Sequence, residues 1–219
     1  MRQILRIGLP AGMQSVLYSI SNAILQSTVN SFGTTVIAAY TAYGKIDGFF
    51  WMVIGAFGVS ITTFVGQNFG AQKYDRMRKS TRVCLCMAFG TTFLIEALFY
   101  FGSSFVMQLF SRDPAVIEQG IERLSIVSTT YAICGVMDVL VGSLRGMGTS
   151  LLPMVVSMLG ACGLRILWIY TIFAADHTLF MLYLSYPVSW VITAAVHFVC
   201  YLVIKRKLLR REGMELAHS

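Results

Sequence analysis

The sequence predicts an all-α integral membrane protein of six transmembrane helices, and three observations carry that prediction. Hydrophobic residues make up 56% of the chain and charged residues 12%, about half the charged fraction of a soluble domain. Apolar stretches recur six times, and a hydrocarbon core of roughly 30 Å asks for about 20 mainly apolar residues per helix. Lys and Arg collect on alternate connections between those stretches.

The first span is expected over about 9–30, with Pro10 in its first turn, after a short amphipathic lead-in that carries Arg2 and Arg6 at the membrane surface. No cleavable signal peptide is visible, since this opening runs directly into an apolar segment. Ser31-Phe32-Gly33 reads as a tight turn. The second span, about 36–66, exceeds what a bilayer demands and closes on Gly66-Gln67-Asn68-Phe69-Gly70, ahead of a basic loop from Ala71 to Arg82. The third is expected at 83–110, ending at Ser111-Arg112-Asp113-Pro114, where Asp113 can cap a helix that starts at Pro114. The fourth extends over 122–145. Gly146-Met147-Gly148-Thr149-Ser150 reads as a helix stop followed by an N-cap, with Pro153 in the first turn of the fifth span at 151–174. The sixth, 179–204, contains Pro187 as an expected kink, and a cytoplasmic tail covers 205–219. Residues 1–219 thus form a single membrane lobe with no soluble domain or short-period repeat.

Orientation follows from the charges. Six spans place the N-terminus, the second and fourth connections and the tail on one side, which holds thirteen Lys and Arg: Arg2, Arg6, five from Lys73 to Arg82, Arg145, and five from Lys205 to Arg211. The other side holds Arg112 and Arg123. This bias predicts a plasma-membrane protein with both termini in the cytoplasm. The net charge of +7 does not indicate nucleic acid, because the basic residues flank apolar segments and build no aromatic-interleaved face. Cys84, Cys86, Cys134, Cys162 and Cys200 all fall in apolar stretches and read as small buried hydrophobes; their spacing matches neither a metal site nor a disulfide framework.

Charge within a membrane segment is expensive unless paired or hydrated, so intramembrane ionisable residues are the first functional candidates. Glu96 and Arg165 lie at matching depth, roughly 20 Å from the cytoplasmic ends of their spans at about 1.5 Å per residue. They form either a buried ion pair that clasps two helices or part of a working site. Lys45 and Asp47 point to different faces of one helix, and Lys45 can equally snorkel outward. Asp138, without a partner on its own helix, is the best single candidate for ion coupling, with Glu96 second; a hydrogen-bonded structural carboxyl is the competing reading. His197 reads as a core histidine. Ser15, Ser19, Asn22, Gln26 and Asn30 share one face of the first span beside Tyr18. That stripe either borders a substrate cavity or hydrogen-bonds a neighbouring helix. Phe49, Phe50, Trp51, Met52 and Phe57 offer adaptable walls or plain packing, and the pairs Gly44/Gly48, Gly55/Gly58 and Gly142/Gly146 permit close helix approach.

Several strings taken in order resemble the multidrug and toxic compound extrusion (MATE) family. They are Gly8-Leu9-Pro10-Ala11, Ala38-Ala39-Tyr40-Thr41-Ala42, Lys45-Ile46-Asp47, the run from Thr63 to Ala71, and Leu144-Arg145-Gly146-Met147-Gly148. The similarity runs from about residue 3 to 205 and matches the C-terminal six-helix lobe of a two-lobe, twelve-helix pattern. It implies secondary active efflux of a drug or organic cation against protons or sodium by alternating access, with no enzymatic step, cofactor or metal. A six-helix half cannot enclose a central cavity alone, so the implied partners are a missing N-terminal lobe or a second copy, besides the lipid bilayer, the drug-like substrate and the coupling ion. Met1 as an internal methionine of a longer reading frame is the corresponding hypothesis. Two departures stand out. The first span lacks the acidic residue of some branches, and Asp138 lies about one turn closer to the cytoplasm than those branches' aspartate. Three alternatives stay open: a flippase for lipid-linked sugars, expected to show more cationic residues than Lys45 and Arg165; a structural subunit; and an intramembrane enzyme, for which no acid, nucleophile or ligand set lies at matching depth.

Overall fold

Apolar length alone accounts for five of the helices. In the computed structural model, which describes residues 2–217 and the side chains of 8–208 except Ala11, the spans long and apolar enough to cross a bilayer are 34–70, 74–101, 114–146, 151–173 and 179–208. The first helix, α1 (Arg2–Asn30), is not among them. Its 29 residues exceed the hydrocarbon thickness at about 1.5 Å each, but Gln14, Ser15, Ser19, Asn22 and Gln26 dilute its apolar character. It is also one continuous helix, so the expected lead-in is not separate and Pro10 sits inside α1 rather than in its first turn. Met1 and the side chains of Arg2 and Arg6 lie outside the described residues.

Gly33, at φ 94°, closes the turn into α2 (Thr34–Gly70), a conformation open to a residue without a Cβ. Near its far end Asn68 Nδ2 donates back to the Phe64 carbonyl at 2.7 Å, while the backbone N–H groups of Ala71, Lys73 and Gln72 satisfy the released carbonyls of Gln67, Asn68 and Phe69. The basic loop expected over 71–82 shrinks to 71–73, with Gln72 at φ 57°, because α3 (Tyr74–Phe101) begins early. Asp75 in its first turn suits the helix dipole and pairs with Arg78 at 2.9 Å. The third span is therefore displaced from 83–110: it breaks at Gly102, and a short α4 (Ser103–Gln108) follows.

Asp113 caps the next helix as expected, Oδ1 accepting from Ala115 N at 3.0 Å with Pro114 in the first turn. The fourth span is longer than 122–145. It comprises α5 (Pro114–Val127), a single 3-10 turn (Ser128–Thr130) and α6 (Tyr131–Gly146). Gly148, at φ 79°, reverses the chain, while Thr149 Oγ1 donates to the Leu144 carbonyl at 2.7 Å. Ser150 was the expected cap, but its hydroxyl is buried without a partner. The fifth span combines α7 (Leu151–Ser157) and α8 (Leu164–Trp168) with two π turns, Met158–Gly163 and Ile169–Phe173. Last, α9 (Leu179–Ala217) runs unbroken through Pro187 and past Lys205, so the tail stays helical to Ala217; His218 and Ser219 lie outside the described residues.

The α5–α6 span is the central pillar, packed against α2, α3 and α9. Three glycines set the α2–α6 crossing. A Cβ on Gly142 would lie 2.6 Å from the Gly58 carbonyl and one on Gly146 2.8 Å from that of Thr62, while Gly58 faces the Asp138 carboxylate. Gly44, Gly48 and Gly55 have open space where a Cβ would stand, so half of the expected small-residue contacts form. An aromatic-rich core with Tyr43, Phe50 and Tyr131 fills one end of the lobe. An aliphatic core with Ile61, Val65, Leu140 and Leu144 fills the other. Exposed Leu94, Leu98 and Phe101 give α3 the face of a helix that meets lipid.

Candidate functional site

A cavity of about 490 Å³ lies among α1, α2, α5, α6, α7, α8 and α9. Its mouth carries Ser15, Asn22 and Gly44, all exposed. From α1, Gln14, Tyr18 and Gln26 also face it, as a helical face repeating every three or four residues requires.

Toward the 31–33 and 174–178 connections, the cavity is an arginine end. Arg123, 2% exposed, is enclosed by tyrosines: its Cζ stands 3.6 Å from the ring centre of Tyr40 and 4.2 Å from that of Tyr43. Tyr183 and Tyr186 complete the box at 5.5 and 5.8 Å. Stacked π faces compensate a desolvated cation by ~2 kcal/mol per good contact. One further bond runs from Nη1 to the Tyr40 carbonyl at 3.4 Å. Arg165, also 2% exposed, lies 4.1 Å from the Tyr186 ring centre and 5.7 Å from that of Trp190.

Beside the arginines, Asp47 Oδ1 accepts from the Tyr131 hydroxyl. Tyr131 has one proton to give, so in its 3.0 Å bond with Tyr43 the Tyr43 hydroxyl must be the donor. The result is a directed chain Tyr43, Tyr131, Asp47. Phe50 stacks on Tyr131 at 4.3 Å and 8°, which fixes the ring that presents that hydroxyl. Trp51 lines the cavity next to Trp190.

The opposite end belongs to Asp138. Its carboxylate occupies the space that a Cβ on Gly58 would fill, so glycine is what admits it. Asp138 also borders a smaller cleft with Thr62 and Arg145. The Arg145 Nη2 in turn donates to Gln14 Oε1 at 2.6 Å, tying α6 to α1.

Seven expected residues meet at this cavity: Ser15, Tyr18, Asn22, Gln26, Asp47, Asp138 and Arg165. Four do not line it. Ser19 donates to its own helix at the Ser15 carbonyl, 3.1 Å away, and Asn30 accepts from Gln26 at 3.0 Å. Lys45, two residues from Asp47, falls on the far side of α2 and is exposed. Glu96 instead receives the Ala132 N–H at 3.3 Å, just where the 3-10 turn leaves the start of α6 short of acceptors. The expected Glu96–Arg165 ion pair is absent: the only ion pair among the described residues is Asp75–Arg78. His197 is buried and bonds Ser157 at 3.1 Å. Cys86 is exposed, unlike the buried hydrophobe expected. Phe49 and Met52 also face outward.

Sequence reasoning missed Arg123, Gln14, Tyr40, Tyr131, Tyr186 and Trp190. Arg123 had a usable signal: nine residues inside a helix that starts at Pro114, it lies some 14 Å deep at about 1.5 Å per residue. The tyrosines had none, because an aromatic in an apolar stretch reads the same whether it packs or lines a cavity.

The fold has relatives. The Probable multidrug resistance protein YoeA of Bacillus subtilis is 26% identical over 163 residues, covering 74% of this chain and 35% of that protein. The Probable multidrug resistance protein NorM of Aromatoleum aromaticum is 25% identical over 163 residues, covering 74% and 35%. The bent form of the Vibrio cholerae MATE transporter VcmN superposes with a TM-score of 0.84 at 20% identity, over 94% of this chain and 47% of that one. The chain thus spans about a third to half the length of what it matches. The MatE family profile matches residues 10–171, and the chain is a member of that family of membrane transporters.

Proposed function

We propose that this chain is one lobe of a secondary active efflux transporter that exports a drug-like compound in exchange for protons or sodium. The carrying observation is a cavity lined by ionisable and polar side chains within an apolar bundle, an arrangement whose desolvation cost is justified by something that enters it. The reading extends to partners and placement: a plasma-membrane protein with both termini cytoplasmic, working with a second lobe or a second copy that supplies the other wall. The names of its relatives support multidrug export.

Asp138 is the coupling carboxylate in this reading. It borders both the cavity and the smaller cleft, so a cation exchanging there changes the charge that the substrate meets. Glu96 has a structural role, and Glu96→Gln keeps an oxygen for Ala132.

The test is counterflow of a fluorescent organic substrate from proteoliposomes under imposed proton or sodium gradients, with this chain alone and with the reading frame upstream of it. Asp138→Asn should reduce gradient-driven efflux at least about tenfold, and Gly58→Ala, which evicts the same carboxylate, should reproduce that loss. Glu96→Gln should keep it. Efflux indifferent to both gradients, or intact in Asp138→Asn, rejects the assignment.

A further inference from the structure

Two guanidinium groups share the arginine end of the cavity, and neither has a carboxylate within ion-pair distance among the described residues. The Nε atoms of Arg123 and Arg165 and Nη2 of Arg165 have no hydrogen-bond partner. Buried polar groups are satisfied as a rule, and a buried charge left without partners is among the most expensive features a fold can hold.

The stacked rings answer only part of that demand. A guanidinium over an aromatic face spends its π surface, while its five N–H donors lie in the plane and point past the ring edge. Tyr40, Tyr186 and Trp190 therefore compensate charge without consuming donors. Asp47 lines the same cavity and feels both guanidiniums, but it lies beyond ion-pair distance of either and commits an oxygen to Tyr131, and Asp138 lies at the far end near Arg145.

Local backbone points the same way. Arg165 sits between two π turns, 158–163 and 169–173, and such bulges are rare and concentrate at functional sites. They hold Arg165 toward the cavity while Ser157 and His197 stay paired.

Resting on the transporter reading above, we propose that the arginine end recognises the anionic group of an aromatic substrate. The in-plane donors of Arg165, with those of Arg123 behind it, grip a carboxylate or phosphate, and Trp51 and Trp190 receive the attached ring. The preferred cargo is then a flat organic anion or zwitterion rather than a simple cation.

The measurement is tryptophan quenching by 1-pyrenecarboxylate and by its cationic counterpart 1-pyrenemethylammonium, with the protein in nanodiscs of phosphatidylcholine. The carboxylate should bind about tenfold or more tighter, the range for a charge-assisted hydrogen bond. Arg165→Gln should abolish that preference and Arg165→Lys retain part of it. Asn22→Asp, at the exposed mouth, tests the same electrostatics without disturbing the buried stack, and should shift preference toward the ammonium. An equal or stronger affinity for the ammonium overturns the proposal, as does a preference that survives Arg165→Gln. A carboxylate preference that vanishes once phosphatidylglycerol is added to the discs assigns the site to lipid headgroups and also overturns it. Counterflow without anion preference rejects this inference alone; anion preference without counterflow rejects the transport reading alone.

Discussion

Tyr131 is where three kinds of interaction converge. It stacks on Phe50, accepts from Tyr43 and donates to Asp47. Tyr131→Phe keeps the stack but takes the hydroxyl donor from a half-buried carboxylate and leaves it Trp51 alone, a loss of ~1–3 kcal/mol. Tyr43→Phe removes one neutral bond and should lose less, about 0.5–1.5 kcal/mol. Thermal unfolding in detergent should rank the two variants in that order; equal melting temperatures would show that Asp47 finds another donor. At this scale the sequence was half legible. Asp47, Asp138 and Arg165 declared themselves because charge in an apolar segment is conspicuous. Tyr131 and Tyr186 did not, since only the placement of neighbouring helices distinguishes a cavity tyrosine from a packing one. Arg123 was hidden by a boundary: with the span starting at 122 it lay at the surface, and with α5 starting at Pro114 it lies inside.

Helices in lipid gain little from apolar contact and much from close backbone approach, which makes the α2–α6 crossing a sensitive element. Gly142→Ala puts a methyl 2.6 Å from the Gly58 carbonyl, so the two helices must separate or shift, at a loss of ~1–3 kcal/mol. Gly48→Ala and Gly55→Ala meet open space and should stay within about 0.5 kcal/mol of the parent. Chemical denaturation in mixed micelles separates these cases; a stable Gly142→Ala would mean that the crossing is looser than drawn. The sequence proposed all three glycine pairs without discriminating among them, because a spacing of three or four is necessary for a contact but does not say which face has a neighbour. Breaks were similarly opaque. Gly102 could be read as a helix residue or a stop, and nothing in Met158–Gly163 or Ile169–Phe173 marks a widened turn in advance.

Across the whole lobe, the alternation of basic and sparse connections predicts which ends reach the cytosol. A cysteine introduced at His177, in a variant lacking the native cysteines, should react with an impermeant maleimide added outside intact cells. One introduced at Lys73 should react only after permeabilisation. The reverse pattern would invert the lobe and with it the side from which cargo enters. That order is an expectation drawn from loop charge, which is counted without any geometry, whereas the polarity of α1 was legible only as an ambiguity between a cavity wall and a helix contact. The paired π turns have a consequence at this same scale. Each houses one residue beyond the regular helical complement, and one residue corresponds to about 100° of azimuth. Excising Leu159 alone should let the first turn relax to ordinary pitch while the two ends of that rod keep nearly their present azimuth, because the widened turn is what absorbs the extra residue. With Ser157 anchored to His197, the guanidinium downstream would still face inward, so a one-codon deletion at Leu159 should be tolerated far better than replacing Arg165 itself.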